Sequence, residues 1–461
     1  MINDNSPENF AKQKRAVIVA PAGYGKTELI VQSVAYSIGR QLVLTHTHAG
    51  VDSLRKRFRK HNISSAKFNI ETIHSFALRF AGSYPKTTGL PFEIPKDDEE
   101  YEQIINSAIN LFDIKFGKDI LRCSYSGIFV DEYQDCQINQ HDLICKLADI
   151  LPCRIVGDPL QGIYDFGNNQ IVDWENNVNM YFAPLPDLTV PYRWKEINPA
   201  LGEELKNLRQ LIINKQQIIF NNVIEDSQEM IYKFLKYTNF DRDTVYVICS
   251  PQNEHYPHSL AQQLGNKFRT IEPLTSKRLC EDAQKIESTQ AQDRLKNVVK
   301  FAEACLTNIT TECDGVLNNL EGNFRNERKI KLKGLLKKIC ENEKLQYVYD
   351  LFLFLEVNYD PTYKRHQLWN EMKKGLREVI IGNYKSLEEA VWHVRSQLRF
   401  NENRIPKYCI SRTLLLKGLE CDHAVIMKPE LFNAKNLYVA MTRASSKLTI
   451  ISNNQTWSNY Q

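Results

Sequence analysis

The sequence predicts an α/β protein with two parallel sheets, each wrapped by helices. Over the first 195 residues short β-branched runs alternate with helical patterns, and the same alternation begins again near Thr244. This second pattern stops after about Leu274 and resumes at Tyr408, and the stretch between them has no strand-like alternation. We therefore expect one sheet domain at the start of the chain and a second that a helical insertion divides.

The predicted strands are short apolar runs bounded by turn residues. They cover residues 16–20, 41–45, 126–131, 153–157 and 245–249. Apolar residues from Tyr101 to Phe112 follow helical spacing, as do those from Val298 to Cys305 in the insertion. The predicted organisation is a first domain at residues 1–195 with a rudimentary insertion near 84–122, a second domain at 196–274 and 406–461, and a helical insertion at 275–405.

Composition excludes several classes of protein. Of 461 residues, 43% are hydrophobic and 25% charged, which is typical of a globular chain and not of a disordered one. The 59 basic and 55 acidic side chains leave a net charge of +4, so any contact with nucleic acid depends on local patches. The 11 cysteines include no CxxC pair, and no apolar leader follows Met1, so we expect a cytoplasmic protein. No apolar run approaches the roughly 18 residues of a membrane span, and we expect no membrane partner.

The most specific motif is Ala20-Pro-Ala-Gly-Tyr-Gly-Lys26-Thr27, between a predicted strand and a predicted helix. Backbone amides of such a loop converge on phosphate at the helix N-terminus, and its glycines allow close approach. Lys26 can supply a positive charge to the terminal phosphates, and the Thr27 hydroxyl can bind Mg²⁺. The alternative is a glycine-rich turn without a ligand. The residues predicted to bind the phosphates are Ala22, Gly23, Tyr24, Gly25, Lys26 and Thr27.

Three carboxylates lie at or just beyond the end of another predicted strand, in Gly127-Ile-Phe-Val-Asp131-Glu132-Tyr-Gln-Asp135. Mg²⁺ prefers a carboxylate and retained waters, and hydrolysis requires a second carboxylate to position or deprotonate the attacking water. We predict that Asp131 binds the metal together with Thr27 and that Glu132 acts on the water. An acidic surface turn is the alternative, and the phosphate loop upstream favours the catalytic interpretation.

With these two motifs the sequence resembles superfamily 1 helicases of the UvrD, Rep and PcrA type, and further fragments continue in that family's order. They are Thr45-His-Thr-His48, Thr72-Ile-His74-Ser-Phe76, Gly157-Asp158-Pro-Leu-Gln161-Gly-Ile-Tyr164-Asp-Phe166, Pro191-Tyr192-Arg193, Leu416-Lys417-Gly418-Leu419-Glu420 and Tyr438-Val-Ala-Met-Thr442-Arg443-Ala444. Singly each has an ordinary explanation, such as a core tyrosine or a surface ion pair. Together they are hard to produce by chance.

The resemblance implies roles for these residues. Gln161 would sense the γ-phosphate, and Arg193 and Arg443 would stabilise charge on it. Tyr192 would stack on adenine. The segment that carries Gly418 and Glu420 would also contact the nucleotide. The residues implied to contact single-stranded DNA are Thr45, His46, His48, His74, Tyr164 and Phe166.

The resemblance also implies a fold and an activity. The fold would be two RecA-like domains of the P-loop NTPase class, with a short helical insertion in the first and a larger one in the second. The activity would be that of a DNA-dependent ATPase using ATP and Mg²⁺ to translocate on single-stranded DNA, with 3′-to-5′ helicase action by analogy. Forked or duplex DNA is a further expected partner.

Two basic runs are candidate DNA contacts. Residues 55–60 carry five cations in the helix after the Thr45 segment, and residues 325–338 carry seven in the predicted insertion. A solvated helical face is the alternative for both runs.

The sequence departs from the family in three places. Only about twenty residues precede the phosphate loop, so Gln13 is a weak counterpart of the family's adenine-reading glutamine. Leu414 and Leu415 stand where relatives commonly have His-Ser, and the segment between Phe76 and Asp131 is much shorter than the accessory domain of large relatives. In size and style the chain resembles UvrD-like subunits of bacterial phage-defence operons such as Gabija.

Two other functions stay open. The chain could be a non-unwinding ATP-dependent sensor of DNA ends, or a regulatory subunit of a nuclease-containing antiviral complex. It could also be a binding module that has lost hydrolysis, although Lys26, Asp131, Glu132, Arg193 and Arg443 are all present.

Overall fold

The computed structural model describes residues 4–91, 95, 98–163, 170–221, 223–253, 256–271, 277–307, 309–342, 344–359, 361, 363–400 and 406–460. The chain divides into two compact units: unit 1 comprises Met1–Ile224 and Leu416–Gln461, and unit 2 comprises Glu225–Leu415. Among the described residues, no helix combines the length and apolar character that crossing a bilayer would need.

The strands, in chain order, are β1 (Arg15–Val19), β2 (Gln41–Thr45), β3 (Phe68–Thr72), β4 (Gly127–Val130), β5 (Cys153–Gly157), β6 (Ala183–Pro184), β7 (Ile218–Ile219), β8 (Val223–Ile224), β9 (Val245–Cys249), β10 (Arg269–Thr270), β11 (Tyr408–Arg412), β12 (Cys421–Met427), β13 (Ala444–Ile451) and β14 (Thr456–Trp457).

The helices are α1 (Pro7–Lys12), α2 (Lys26–Tyr36), α3 (His48–Lys60), α4 (Ile73–Ser83), α5 (Pro85–Thr88), α6 (Asp98–Asp113), α7 (Lys115–Ser124), α8 (Ile138–Ile150), α9 (Asn179–Tyr181), α10 (Pro199–Ile213), α11 (Gln228–Tyr237), α12 (Tyr256–Gln263), α13 (Lys277–Ser288), α14 (Ala291–Cys305), α15 (Thr310–Leu317), α16 (Glu327–Glu341), α17 (Leu345–Tyr359), α18 (His366–Ile380), α19 (Leu387–Phe400), α20 (Thr413–Leu416) and α21 (Ala434–Met441).

Unit 1 contains a six-stranded sheet in the order β3-β2-β4-β5-β1-β6. Every pairing in it is parallel, and β1 pairs with β5 in a register that sets Val19 opposite Gly157. Parallel strands need crossover connections, and helices supply them on both faces. The strands therefore end at one common edge, where the loops after β1, β2, β3, β4 and β5 meet.

Alternating side chains of this sheet build two cores. Val17, Leu42 and Leu44 belong to the cluster on one face, whereas Ile18 and Val43 belong to the cluster on the other. The period of two in a strand explains this division. Burial on both faces fixes the strand register, because a one-residue slip would exchange the two sets of side chains.

Among the remaining strands of unit 1, β8, β12 and β13 pair in parallel. Strand β13 pairs in parallel with both β12 and β8, and α21 connects β12 to β13. The short strands β7 and β14 pair antiparallel.

Unit 2 combines a three-stranded parallel row with a helical segment. Strand β11 pairs with β9 and with β10. Helices α13 to α19 form the helical segment, and their apolar residues share one core in which Phe352 stacks on Trp369 with ring centroids 4.1 Å apart. The predicted helical insertion at 275–405 is helical over the described residues 277–400, apart from short connections and one isolated bridge.

The structure confirms the predicted fold class, which is α/β with parallel sheets and helical insertions. Strands β2, β5 and β9 have the predicted bounds, and β1 and β4 differ from prediction by one residue at each end. The short first insertion consists of α5, α6 and α7. The predicted domain boundaries stay a prediction, and the structure places residues 416–461 in the same compact unit as residues 1–224.

Candidate active site

The candidate site lies in unit 1, at the edge where the parallel strands end. The loop after β1 carries the phosphate-loop motif, the loop after β4 carries Asp131 and Glu132, and the loop after β5 carries Asp158 and Gln161. Strands β2 and β3 end at Thr45 and Thr72, just before His46 and His74. In open parallel sheets the ligand site is at this edge, so chain topology alone brings together residues far apart in sequence.

The phosphate loop has the backbone that close approach to an anion requires. Gly23 and Gly25 have φ values of 76° and 88°, in the left-handed region that glycine tolerates best. A Cβ on Gly23 would lie 2.7 Å from the ring of Trp194, so neither space nor backbone conformation admits a side chain there. Helix α2 begins at Lys26, and its first amide groups face the loop as an anion site would need. Lys26 itself is buried and donates to the Ala20 carbonyl at 3.1 Å.

Thr27 and Asp131 meet in the way predicted for a metal site. The Thr27 hydroxyl donates to Asp131 Oδ2 at 3.0 Å, although the two residues are 104 positions apart. A hydroxyl and a carboxylate beside a second carboxylate form an oxygen donor set that suits Mg²⁺ with retained waters. The donor set therefore fits the expected ion.

Glu132 lies beside this donor set in a strained backbone conformation. Its φ of 55° is in the left-handed region, which a residue with a side chain rarely occupies. Such strain persists only where the surroundings impose it, and it concentrates at functional sites. The Gln134 amide holds the Glu132 carboxylate at 2.6 Å.

The pKa values of the two adjacent carboxylates shift in opposite directions. Burial, followed by the negative charge of Glu132, raises the pKa of Asp131. Burial also acts to raise the pKa of Glu132, but the positive charge of Lys26, the Gln134 hydrogen bond and the charges of Lys417 and Arg443 outweigh it and lower that pKa. Glu132 is therefore an ionised carboxylate surrounded by cations.

Lys417 is a further buried cation in this cluster. Its side chain is 5% exposed, and its ammonium group contacts both the Asp135 carboxylate and the Gln161 carbonyl. Burial raises the pKa of Asp135 to about 7, against the opposing charge of Lys417. Lys417 thus connects the third carboxylate after β4 to the loop after β5.

Arg193 and Tyr192 cover the phosphate loop from one side. The Arg193 amide donates to the Gly23 carbonyl at 3.1 Å, and its guanidinium contacts Glu420 and the Thr442 carbonyl. Tyr192 is 61% exposed, and a Cβ on Gly25 would lie 3.2 Å from its ring. An exposed aromatic ring beside the loop is available for stacking.

Arg443 follows the C-cap of α21 and is fixed in the site by hydrogen bonds to backbone carbonyls. Its guanidinium donates to the carbonyls of Val439 at 2.8 Å and Leu419 at 3.1 Å. Burial lowers the pKa of Arg443 to about 10, and the positive charge of Arg193 contributes to this. The two predicted arginines therefore lie within electrostatic range of each other, and Arg443 also acts on Glu132.

The loop after β5 holds Gln161 through Asp158. Asp158 is fully buried, and the Gln161 amide donates to its Oδ2 at 2.8 Å. Arg209 on α10 donates to Asp158 Oδ1 at 2.7 Å and to the Tyr438 hydroxyl at 3.2 Å. The Tyr438 hydroxyl in turn accepts from the Ala22 amide at 3.3 Å.

The predicted DNA residues lie where β2 and β3 end. His46 Nε2 is 3.4 Å from the sulfur of Cys136, and the His74 ring meets the Tyr101 ring edge to face. Burial lowers the pKa of His46 to about 3 and that of His74 to about 4, so both rings are neutral. Thr45 is buried at the end of β2. Helix α3 begins at His48, whose side chain lies outside the described part, as do Tyr164 and Phe166 entirely.

The structure brings together seven of the predicted site residues, which are Lys26, Thr27, Asp131, Glu132, Gln161, Arg193 and Arg443. Gly418 lies in a left-handed turn at φ 81°, and Glu420 pairs with Arg193. Gln13 caps α1 and donates to Asn9 at 3.0 Å. Sequence reasoning missed Trp194 and Arg209 entirely, and it named Lys417 without giving it a role. The position of Trp194 directly after Arg193 is the one sequence signal that could have indicated it. No local sequence signal indicates Arg209.

Comparison with known proteins agrees with the motifs. Residues 3–120 and 98–177 match the profile of the UvrD-helicase family, described as the UvrD/REP helicase N-terminal domain. No curated protein sequence matches this chain.

Solved structures similar to the chain include the Arterivirus nonstructural protein 10 (helicase), for which the identity is 11%, the TM-score is 0.36, and the match covers 97% of this chain and 61% of that one. The complex of Arterivirus nonstructural protein 10 (helicase) with DNA gives 10% identity, a TM-score of 0.36, and coverage of 97% and 63%. This chain therefore spans less than two thirds of each of those proteins. Residues 3–177 of the present chain are thus similar to the UvrD/REP helicase N-terminal domain, which confirms the resemblance to UvrD-like helicases of superfamily 1.

Proposed function

We propose that this chain is a DNA-dependent ATPase that translocates on single-stranded DNA and acts as a 3′-to-5′ DNA helicase. One observation supports it most directly: Glu132, beside the Thr27–Asp131 pair, is surrounded by the positive charges of Lys26, Lys417 and Arg443. Phosphoryl transfer depends mainly on positioning and on stabilising charge, and this arrangement serves both needs.

The phosphate loop and its neighbours would bind ATP. The amides from Ala22 to Thr27 would hold the phosphates, and Lys26 would leave the Ala20 carbonyl to reach the terminal ones. Thr27 and Asp131 would hold Mg²⁺, which neutralises developing charge on the phosphates when bound. Tyr192, Gly418 and Glu420 would contact the nucleoside.

Glu132, Gln161, Arg193 and Arg443 would carry hydrolysis. Glu132, already ionised, would orient the attacking water and accept its proton. Gln161 would face the γ-phosphate from the loop after β5. Arg193 would exchange its contact with Glu420 for the phosphate oxygens, and Arg443 would stabilise the same charge.

The ends of β2 and β3 would contact the DNA strand. Thr45 is a small polar residue at that edge, and the rings of His46 and His74 are neutral. His48 would contact the same strand from the start of α3, and Tyr164 and Phe166 would stack on bases. Strand β4 lies beside both β2 and β5 in the sheet order, so the loop with Glu132 adjoins the DNA residues and the loop with Gln161. This adjacency gives DNA binding a short route to the catalytic carboxylate.

The test is the steady-state ATPase rate with no DNA and with single-stranded, duplex, forked and RNA oligonucleotides. We expect single-stranded or forked DNA to stimulate the rate at least tenfold, and Lys26→Ala to abolish it at every condition. Displacement of a labelled strand from a 3′-tailed duplex, but not from a 5′-tailed one, would support the proposed direction. A rate that is the same with and without any nucleic acid, or that survives Lys26→Ala, would contradict the proposal.

The size of the first insertion favours a second candidate function. Over the described residues between α4 and β4, the elements are the three helices α5, α6 and α7, which offer a small surface for separating strands. The alternative is a non-unwinding sensor of DNA ends, or a regulatory subunit of a nuclease-containing antiviral complex of the Gabija kind. DNA-stimulated ATPase without strand displacement, and displacement or cutting only with a nuclease partner, would favour it.

We also propose a cytoplasmic location. The 11 cysteines of the sequence include no CxxC pair and no regular spacing, and this usage favours a reducing compartment.

A further inference from the structure

We propose that Arg209, on helix α10, is a positioning residue that holds Gln161 in place through Asp158 and connects it to the phosphate loop through Tyr438. The inference rests on the proposed ATPase function, because Gln161 is the γ-phosphate sensor in that proposal. Arg209 belongs to none of the sequence motifs, and it would touch neither ATP nor DNA. Its role would be to fix the geometry of residues that do.

The first connection is a buried ion pair. Arg209 Nη1 donates to Asp158 Oδ1 at 2.7 Å, and the two side chains are 11% and 0% exposed. The other oxygen of the same carboxylate accepts the Gln161 amide at 2.8 Å. Oδ1 thus accepts from the arginine and from the Leu160 amide at 3.2 Å, whereas Oδ2 accepts from the glutamine, so rotation of the carboxylate would move Gln161.

The second connection leads to the phosphate loop. The same Nη1 atom donates to the Tyr438 hydroxyl at 3.2 Å, and the guanidinium lies 5.5 Å from the centre of the Tyr438 ring. The hydroxyl accepts the Ala22 amide at 3.3 Å. Gln161 and Ala22, on either side of the expected phosphates, are thus joined by a continuous series of hydrogen bonds with Arg209 at its centre.

Packing of α10 does not require this ion pair. Leu201, Leu205, Leu208 and Ile212 are buried and anchor the helix. A buried ion pair contributes little net stability compared with apolar residues, because desolvation offsets the attraction. Its presence beside the sensor glutamine is better explained by the precise orientation that fixed charges and hydrogen bonds provide.

A double-mutant cycle tests the inference with full-length protein, ATP, Mg²⁺ and saturating single-stranded DNA. The variants are Arg209→Gln, Gln161→Ala and the double substitution, and the matched control is Lys206→Gln, one turn away on α10 with an exposed side chain. We expect Arg209→Gln to lower kcat about tenfold with KM for ATP changed less than about threefold. In the Gln161→Ala background the same change should lower kcat less than about twofold.

Rescue by a conservative substitution separates positioning from folding. A lysine ammonium can donate to both Asp158 and Tyr438, so Arg209→Lys should recover at least half of the wild-type kcat. If Arg209→Gln fails to fold, the cycle is repeated with Arg209→Lys, which should lose at most twofold in kcat with intact Gln161 and nothing in the Gln161→Ala background. Equal fold losses in both backgrounds, or a loss confined to KM, would overturn the inference.

The two proposals fail in different ways. If wild-type protein shows no ATPase above the Lys26→Ala level, the proposed function and the inference both fall. If wild-type protein is active and Lys26→Ala is not, but Arg209→Gln retains the wild-type kcat, only the inference is wrong.

Discussion

Two regions of this molecule carry many charged groups, which are buried in one region and exposed to solvent in the other. At the sheet edge of unit 1, charged groups are buried together: Lys417 meets Asp135, and Arg209 meets Asp158. On α16 of unit 2, Lys331 pairs with Glu327 one turn away at 2.8 Å, with both side chains more than half exposed. Lys337 pairs with Glu321 and Lys333 donates to the Gly322 carbonyl.

The difference shows which of the charged motifs in the sequence signal chemistry. Exposed pairs near each other in sequence contribute at most about 1 kcal/mol and satisfy local charge. Burial of charge is costly, so a chain retains it where orientation or proton affinity matters. In the sequence the seven cations of residues 325–338 are a stronger charge signal than the single Lys417. In the structure, however, it is Lys417 that contacts the candidate catalytic residues.

The largest effect is expected at Glu132, the carboxylate beside the Thr27–Asp131 pair. Glu132→Gln keeps the shape of the side chain but removes its charge, so it should lower kcat by about 10²- to 10⁴-fold while ATP still binds. Single-turnover hydrolysis and binding of a fluorescent ATP analogue measure the two quantities. Glu175→Gln, at an exposed position, is the control and should behave as wild type. Turnover near the wild-type rate in Glu132→Gln would remove this carboxylate from the reaction.

The next effect concerns stability and tests the comparison directly. Lys417→Met leaves the buried Asp135 carboxylate without its cation, and we expect a loss of about 3 to 5 kcal/mol in the free energy of unfolding. Asp135→Asn in the same chain should restore at least half of that loss, because it removes the isolated charge. Urea unfolding measures both. A loss of less than about 1 kcal/mol in the single variant would mean that the buried pair contributes no more to the free energy of unfolding than an exposed pair does.

A smaller effect should appear when the pH falls. The folded chain keeps His46 neutral, with a pKa of about 3, whereas the unfolded chain takes up a proton near the ordinary histidine pKa of 6.5. The contribution of His46 to stability is therefore complete above pH 6.5 and decreases as the pH falls towards 3. Between pH 7 and pH 5.5 wild-type protein should lose about 1 kcal/mol more than His46→Gln. If the free energy of unfolding of the two proteins changes with pH in the same way, the His46 ring takes up its proton in the folded state as well, which would contradict this prediction.

The smallest effect is expected on α16. Lys331→Gln should change the free energy of unfolding by less than about 0.5 kcal/mol, because its partner Glu327 remains hydrated when the pair is broken. The salt dependence of duplex binding provides a second measurement on the same variant. An unchanged slope supports the comparison, whereas a decrease of about 0.9 in that slope would place this lysine on a DNA phosphate.

Much of the fold could be predicted from the sequence because the first sheet is buried on both faces. Strands such as residues 41–45 and 153–157 are continuous apolar runs between clear turns, and their bounds follow from this. Strand β3 was not predicted, since Phe68-Asn-Ile-Glu-Thr72 at the sheet edge has only alternating polarity over five residues. The two-residue strands β7 and β8 form only through their partners, and nothing local marks them.

The candidate site was predictable where chemistry requires a residue at a fixed spacing in the chain. Lys26 and Thr27 follow from the phosphate loop, and Asp131 and Glu132 follow from the end of an apolar strand. Arg209 could not be found in this way, because its partners Asp158 and Tyr438 are 51 and 229 positions away. A helical arginine among leucines has the same local pattern whether it faces solvent or a buried carboxylate.

The hydrogen bond from Ala22 to Tyr438 joins two residues 416 positions apart in the chain. During synthesis the phosphate loop is therefore made first, and Tyr438 follows Ala22 only after a further 416 residues. A nascent chain that stops before residue 416 would carry the loop and its first helix without the groups that complete the catalytic end. Under the proposed function, ATP consumption would therefore begin only after synthesis has passed residue 443, and a product terminated before that residue would be inactive.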